Sequence, residues 1–125
     1  MIAVDTSSLM AFLAGDIGTD VDSVEDALKA QVIVLPPVVL TEIISDPKLA
    51  EQVTKTLLGL PMLEILPGYW ERAGKTRAKI LARNLKARVA DALIAQSCLD
   101  YNIALISRDR DFRHFEKFAQ LKVVW

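Results

Sequence analysis

Short β-branched apolar runs alternate along the chain with longer helical patterns. Runs with the length and composition of buried strands occupy residues 2–4, 32–35, 63–66, 103–107 and 121–125. Strands that alternate with helices form a mostly parallel sheet covered by helices on both faces, because a parallel connection needs a long crossover. A length of 125 residues suffices for one such domain and its core. The sequence therefore predicts a single α/β domain over 1–125.

The intervals between these runs carry helical periodicity. Helices are predicted over 7–14, 23–30, 36–45, 46–59, 69–84 and 90–101, with one more short helical turn around 112–115. Ser23 and Asp26 have the spacing of a capping box, which predicts the start of the second helix at Ser23. Asp46 followed by Pro47 predicts the N-terminus of the fourth helix.

The composition argues against several protein classes. Cys98 is the single cysteine, so neither a disulfide framework nor a cysteine metal site is expected. No apolar run approaches the roughly 18 residues that a membrane-spanning helix needs. The first charge comes as early as Asp5, so no signal peptide is expected. These features predict a cytoplasmic protein.

The charge of the chain is divided between its two parts. Residues 1–70 carry ten acids and three bases, whereas residues 71–125 carry six acids and twelve bases. A total charge of −1 therefore conceals a basic segment. Spacings of three or four place five of its bases on one predicted helical stripe: Arg72, Lys75, Lys79, Arg83 and Lys86. The pattern fits both a surface that binds a polyanion and a solvated helix face.

Acidic residues occur where the predicted sheet would bind a ligand. Asp5 ends the first strand, and Asp109 and Asp111 follow the fourth, at the carboxyl ends where open α/β sheets hold their ligands. Glu42 lies within an apolar helical pattern, and Asp91 lies near the start of another. Taken singly, each acid also has a purely structural explanation, in a helix N-terminus, a polar turn or a solvent-facing helix position.

Taken together, the acids indicate a metal site. Several carboxylates brought to one edge of a sheet repel each other and raise one another's pKa unless a cation lies among them. Oxygen ligands without a His or Cys cluster favour Mg²⁺ or Mn²⁺ over zinc. Such an ion is typical of phosphate chemistry, because it offsets phosphate charge and lowers the pKa of a water molecule.

Four motifs in order, "VDTSSL", "LTEI", "ADALIAQ" and "LISRDRDF", resemble those of the PIN-domain nucleases, and most closely the VapC-type toxins of toxin–antitoxin pairs. The resemblance covers nearly the whole chain. It implies an α/β/α sandwich with a central parallel sheet in the order 3-2-1-4-5. It also implies a metal-dependent endoribonuclease that hydrolyses RNA with a metal-activated water. The metal-binding carboxylates implied by the motifs are Asp5, Glu42, Asp91 and Asp109, with Asp111 as an additional ligand and Ser7 and Ser107 as hydrogen-bond donors to the acids.

The same resemblance implies three partners: an RNA substrate, a small antitoxin protein and a second copy of the chain in a homodimer. The basic stripe, together with Arg108 and Arg110 beside the acids, is then expected to contact RNA phosphates. The chain departs from the family pattern in "NLKARVAD", which lacks the glycine often found before the third acid. That difference concerns the backbone ahead of Asp91.

Other functions remain compatible with parts of the pattern. A stand-alone RNA-processing nuclease would carry the same acids. A nuclease-like fold used only for binding would not need the complete set of four. A receiver-like signalling domain also binds Mg²⁺ at strand ends, but it needs a lysine after the last strand. Lys122 lies inside the predicted last strand, and Glu42 would have no role in such a domain.

Overall fold

The computed structural model describes the whole chain, Met1–Trp125, as a parallel sheet with helices packed on both faces. The strands are β1 (Ile2–Val4), β2 (Ile33–Val34), β3 (Leu105–Ile106) and β4 (Val123–Val124). The helices are α1 (Thr6–Leu13), α2 (Thr19–Lys29), α3 (Pro37–Ile44), α4 (Glu51–Leu58), α5 (Tyr69–Leu81), α6 (Val89–Tyr101) and α7 (Arg113–Ala119), with a 3-10 turn at Arg110–Phe112. The predicted three-layer α/β/α fold class is confirmed.

The strand order is β2-β1-β3-β4, and every pairing is parallel. Val4 lies opposite Ile106 in the register of β1 and β3. The residues that follow them, Asp5 and Ser107, therefore emerge side by side at the carboxyl edge of the sheet. This adjacency of the first and third strands positions the candidate site.

The predicted strand at 63–66 is absent as a strand. Its neighbourhood makes one parallel bridge, Leu35 to Met62, in which Leu35 N donates to Pro61 O and Leu63 N donates to Leu35 O, both at 2.9 Å. The segment on the other side of the bridge runs directly after Leu35 into Pro36 and Pro37, where α3 begins, and neither proline offers an N–H that could extend the ladder along 63–66. The sheet thus has four strands, and the bridge stands at the edge position that the order 3-2-1-4-5 assigns to a third strand.

Two predicted helix starts are wrong. Helix α2 begins at Thr19, and Ser23 lies inside it, where its hydroxyl donates to Thr19 O at 3.1 Å instead of capping the helix. Asp46 accepts a hydrogen bond from Lys48 N at 2.9 Å and stabilises a turn, while α4 begins only at Glu51. Asx turns of this kind compete with helix caps for the same short acidic side chains.

The core is built around the sheet and helix α6. Ala3, Val4, Leu105 and Ile106 are fully buried, as expected for strands covered on both faces. Cys98 of α6 is also fully buried in this core, where burial raises the pKa of its thiol to about 12. No helix is long and apolar enough to cross a membrane.

An ion pair between the buried Asp20 and the exposed Arg108 connects helix α2 to the segment after β3. Asp20 accepts hydrogen bonds from Arg108 Nε at 2.8 Å and from the buried Ser8 hydroxyl at 2.8 Å. The hydrogen bond from Arg108 holds the pKa of Asp20 below its ordinary value. The contribution to stability is therefore present at neutral pH and is lost as the pH falls through the lowered pKa of the folded state.

We expect Asp20→Ala to lower the free energy of unfolding by about 1 to 3 kcal/mol, because it leaves the buried Ser8 hydroxyl without its acceptor and removes the ion pair with Arg108. Asp22→Ala removes an exposed acid from the same helix turn and serves as the control. Urea unfolding at pH 7 measures both variants. Equal stabilities of the two variants would contradict a structural role for the pair.

Candidate active site

Asp5 combines the two roles that its sequence context allows. Its carboxylate Oδ2 accepts hydrogen bonds from Ser7 N at 3.4 Å and Ser7 Oγ at 2.7 Å, so it is the N-cap of α1. The same oxygen accepts a hydrogen bond from Ser107 Oγ at 3.0 Å. Burial raises the pKa of Asp5, and these hydrogen bonds partly oppose that rise. Capping therefore fixes the position of a carboxylate that is only 3% exposed.

Ser107 connects two of the predicted acids. Its fully buried hydroxyl donates to Asp5 and accepts a hydrogen bond from Asp109 N at 3.0 Å. A hydroxyl can donate and accept at once, whereas an apolar side chain could do neither. Ser107 therefore sets the spacing between the tip of β1 and the segment after β3.

Asp91, Asp109 and Asp111 form one group of carboxylates. Each offers an oxygen, and these oxygens lie within 4.8 Å of one another. Asp91 lies in the first turn of α6, and Asp109 precedes the 3-10 turn, where it accepts a hydrogen bond from Asp111 N at 2.9 Å. Two separate chain segments thus converge on a single acidic site.

Asp91 has the most perturbed environment of the three. Burial raises its pKa, and the charges of Asp109, Asp5 and Asp111 raise it further, to about 7, against an opposing contribution from Arg88. Its Oδ2 is buried and has no hydrogen-bond partner. A buried acceptor without a partner is costly, and three clustered carboxylates repel one another. The donor set therefore fits a divalent cation with oxygen ligands.

Asp111 differs from Asp91 because cations from the α5–α6 loop reach it. Lys86 Nζ lies 3.1 Å and Arg88 Nη2 3.7 Å from its Oδ2. The hydrogen bond from Lys86 lowers the pKa of Asp111. Lys86 belongs to the predicted basic stripe, whereas Arg88 was not among the predicted site residues. The position of Arg88 three residues before Asp91 was the available signal.

Glu42 lies outside the group of three acids. It is exposed on α3, and its Oε1 accepts a hydrogen bond from Thr6 Oγ1 at 2.6 Å. Thr6 directly follows Asp5, so Glu42 is coupled to the site through α1. Thr6 was not among the candidate residues, although its place in "VDTSSL" beside Asp5 was a usable signal.

The predicted basic stripe is not one helix face. Helix α5 ends at Leu81, and Asn84 has a left-handed φ of 58°, so Arg83 and Lys86 lie in a loop. Arg83 packs on the Phe118 ring, with its guanidinium carbon 4.2 Å from the ring centroid. The continuous helical stripe is therefore a wrong description of this segment.

Most of the candidate RNA-binding bases are engaged within the chain. Arg72 makes two hydrogen bonds to the carboxylate of Asp100, at 2.9 and 2.7 Å. Arg108 pairs with Asp20, and the guanidinium carbon of Arg110 lies 4.4 Å from the Trp125 ring centroid. Lys75 and Lys79, one turn apart on α5, are exposed and make no ion pair or side-chain hydrogen bond.

The family assignment follows from comparison with known domains. The model of the PIN domain family matches residues 2–118 of the chain. The chain belongs to the PIN domain family. The predicted family resemblance is therefore confirmed. A receiver-like signalling domain is set aside by this match.

Solved structures share the fold across the full length of this PIN domain. VapBC2 from Rickettsia felis bound to a DNA fragment from its promoter has a TM-score of 0.77 at 20% identity, covering 100% of this chain and 99% of that one. FitAcB from Neisseria gonorrhoeae has a TM-score of 0.71 at 16% identity, covering 100% of this chain and 97% of that one. VapBC-5 from Mycobacterium tuberculosis is a member of the VapBC family of toxin-antitoxin systems. It has a TM-score of 0.70 at 15% identity, covering 98% of this chain and 96% of that one. No curated protein matches the sequence.

Proposed function

We propose that this PIN domain is a divalent-cation-dependent endoribonuclease and the toxin of a VapBC-type toxin–antitoxin pair. The observation that carries the proposal is the buried, unpartnered Oδ2 of Asp91 beside Asp109 and Asp111. A carboxylate that is held at a helix start with no donor is explained by a cation ligand better than by a cap, since a cap would be hydrogen-bonded.

The carboxylates of Asp91, Asp109 and Asp111 would hold Mg²⁺ or Mn²⁺, and Asp5 and Glu42 complete the catalytic set. When bound, the cation supplies phosphodiester hydrolysis with charge neutralisation and with a water of lowered pKa, leaving a 5′-phosphate and a 3′-hydroxyl. The chain's own residues prepare the site. The Ser7 and Ser107 hydroxyls hold the Asp5 carboxylate in one orientation, and Thr6 holds Glu42 beside it.

Two protein partners belong to the same proposal, an antitoxin and a second copy of the chain. The structural neighbours VapBC2 and VapBC-5 support the antitoxin, since they come from toxin–antitoxin systems. Exposed apolar side chains on α1 and α3 offer a surface for a protein partner: Met10 is 46%, Leu13 41% and Ile44 39% exposed.

The test of the proposed function is a metal requirement. We expect the purified protein to cleave RNA with Mg²⁺ or Mn²⁺ and to lose at least about 100-fold of that rate in EDTA, because the acids cannot activate water unaided. Cleavage of a labelled RNA on a denaturing gel measures the rate. An Asp91→Asn preparation purified in parallel controls for contaminating ribonucleases. Undiminished cleavage in EDTA by the wild type, absent from the control preparation, would overturn the metal mechanism.

Lys75 and Lys79 provide a test of phosphate contact outside the acids. We expect the double variant Lys75→Glu, Lys79→Glu to weaken RNA binding about tenfold or more at low salt and to flatten the salt dependence of binding. The reason is that each phosphate contact that is lost lowers the number of counterions that RNA releases on binding. Cleavage of a very short RNA should change little. Lys29→Glu and Lys55→Glu, on the distant helices α2 and α4, make a control of equal charge change. Equal effects of the two double variants would show that Lys75 and Lys79 lie on a solvated helix face and make no specific contact with RNA.

A further inference from the structure

The cations around the acidic site are unevenly distributed. Asp111 Oδ2 lies 3.1 Å from Lys86 Nζ and 3.7 Å from Arg88 Nη2, so one carboxylate has two cationic partners. The neighbouring Asp91 Oδ2 has no hydrogen-bond partner at all. Neutralisation of Asp111 alone requires only one of the two cations, which leaves the role of the other to be explained.

The backbone on both sides of Lys86 is anchored. Arg77 Nε donates to Ala87 O at 2.8 Å, and Ala87 itself is buried. On the other side, Arg83 stacks on the ring of Phe118 in α7 at 4.2 Å. These contacts hold the α5–α6 loop against the body of the domain. The proximity of Lys86 to Asp111 is therefore built into the fold.

The side chain of Lys86 is nevertheless free to change partner. It is 55% exposed, and an exposed ion pair contributes little to stability. Its ammonium carries three N–H donors, of which Asp111 Oδ2 needs only one. Lys86 can therefore leave Asp111, or bind a second anion, without disturbing the anchored loop.

We propose that Lys86 is a phosphate-binding residue of the RNA site, and that without substrate it competes with the divalent cation for Asp111. The inference rests on the proposed function. Two cations that share one carboxylate oxygen repel each other, so the ammonium weakens cation binding while it is paired with Asp111. A phosphodiester brought to the acids presents the anionic oxygens that an ammonium binds in a charge-assisted hydrogen bond. The two roles predict effects of opposite sign when Lys86 is neutralised.

The experiment compares Lys86→Gln with Lys29→Gln. Lys29 pairs with Glu25 at the same Nζ–oxygen distance of 3.1 Å and is also exposed, but it lies on α2 away from the acids. Titration of the RNA-free protein with Mn²⁺, followed by the electron paramagnetic resonance signal of the free ion, gives cation affinity. We expect Lys86→Gln to bind Mn²⁺ about fivefold more tightly than wild type, and Lys29→Gln to match wild type.

The same variants are assayed with a short single-stranded RNA at saturating Mn²⁺. We expect Lys86→Gln to raise KM about tenfold and to reduce the slope of log KM against log salt by about 0.7, the signature of one lost phosphate contact on a single strand. Lys86→Arg should restore KM to within about threefold, since a guanidinium also binds phosphate. Melting curves of the variants establish that each is folded.

Unchanged or weaker Mn²⁺ binding by Lys86→Gln would overturn the competition with the cation. An unchanged KM and salt slope would overturn the phosphate contact and leave Lys86 as a partner of Asp111 alone. A wild-type protein that binds Mn²⁺ but cleaves no RNA would refute the proposed function instead, and the Mn²⁺ titration would still decide whether Lys86 competes at Asp111.

Discussion

Replacement of Asp91 by Asn is expected to abolish cleavage and, in EDTA at pH 8, to stabilise the folded chain. The pKa of Asp91 is raised from 3.8 to about 7 in the folded state. The folded protein therefore holds a proton that the unfolded chain releases, so stability falls as the pH rises from about 4 to 7 and stays low above that range. Asn removes this cost. We expect a gain of about 2 to 4 kcal/mol at pH 8, and only about 0.5 kcal/mol at pH 4, where the wild-type carboxyl is protonated in the folded state and about half protonated in the unfolded state.

Melting curves of wild type and Asp91→Asn in EDTA, recorded across this pH range, measure the effect. Asp111→Asn is a matched control, since it removes the same charge from the same cluster at a site where Lys86 lowers the pKa. That variant should gain much less at pH 8 than Asp91→Asn, because the loss of its exposed pair with Lys86 offsets part of the relief that Asp91 obtains. Equal stabilisation by both substitutions would show that Asp91 has no special place among the acids.

Replacement of Asp5 by Asn is expected to separate catalysis from folding at the tip of β1. The amide keeps an acceptor for the Ser7 and Ser107 donors and caps a helix about as well as a carboxylate. It loses the charge on which the proposed cation site depends. We expect cleavage to fall by about 100-fold or more, while metal-free stability at neutral pH stays equal to wild type or rises by about 1 kcal/mol, because burial raises the pKa of Asp5.

Asp5→Ala supplies the contrast, because it removes both the acceptor and the charge. It should lose the same activity and also about 1 to 2 kcal/mol of stability through the lost cap. Added Mn²⁺ should raise the Tm of wild type clearly and that of Asp5→Asn much less. Five melting curves, of the three proteins without metal and of wild type and Asp5→Asn with Mn²⁺, test these expectations together with a cleavage assay of each protein. If Asp5→Asn cleaved RNA at the wild-type rate, Asp5 would serve only as the N-cap of α1 and would have no role in catalysis.

Local features of the chain predicted the helices and strands unevenly. Helix α3 and the strands at 2–4, 32–35, 103–107 and 121–125 lie where the sequence places them, because apolar runs and prolines act within a few residues. The start of α4 was wrong because Asp46 can cap either a helix or a turn, and local sequence does not choose between them. The edge strand at 63–66 did not form because the neighbouring segment continues after Leu35 into Pro36 and Pro37, which offer no N–H for pairing; the β propensity of 63–66 itself does not reflect this.

The candidate acids show what could be inferred about the site. All of them except Glu42 lie at a strand end or a helix start, and these positions were predictable because a parallel sheet gathers such positions at one edge. The environment of each acid could not be predicted from the sequence. Asp91 is buried without a donor, Asp111 is paired with Lys86, and Glu42 stands apart on Thr6. Each of these contacts joins segments that are distant in the sequence or depends on the course of a loop.

The sequence by itself determined the alternation of strands and helices, the acids at the strand tips and the divided charge, since these depend on residue type and short spacing. The family resemblance implied that the first strand lies beside the strand at 103–107, but only the tertiary structure showed that Ser107 joins Asp5 to Asp109 across them. The tertiary structure also decided which basic residue pairs with which acid: Arg108 forms an ion pair with Asp20, and Lys86 forms one with Asp111. The physical reason is that ion pairs and strand neighbours are selected by packing over long sequence separations, which no local period encodes.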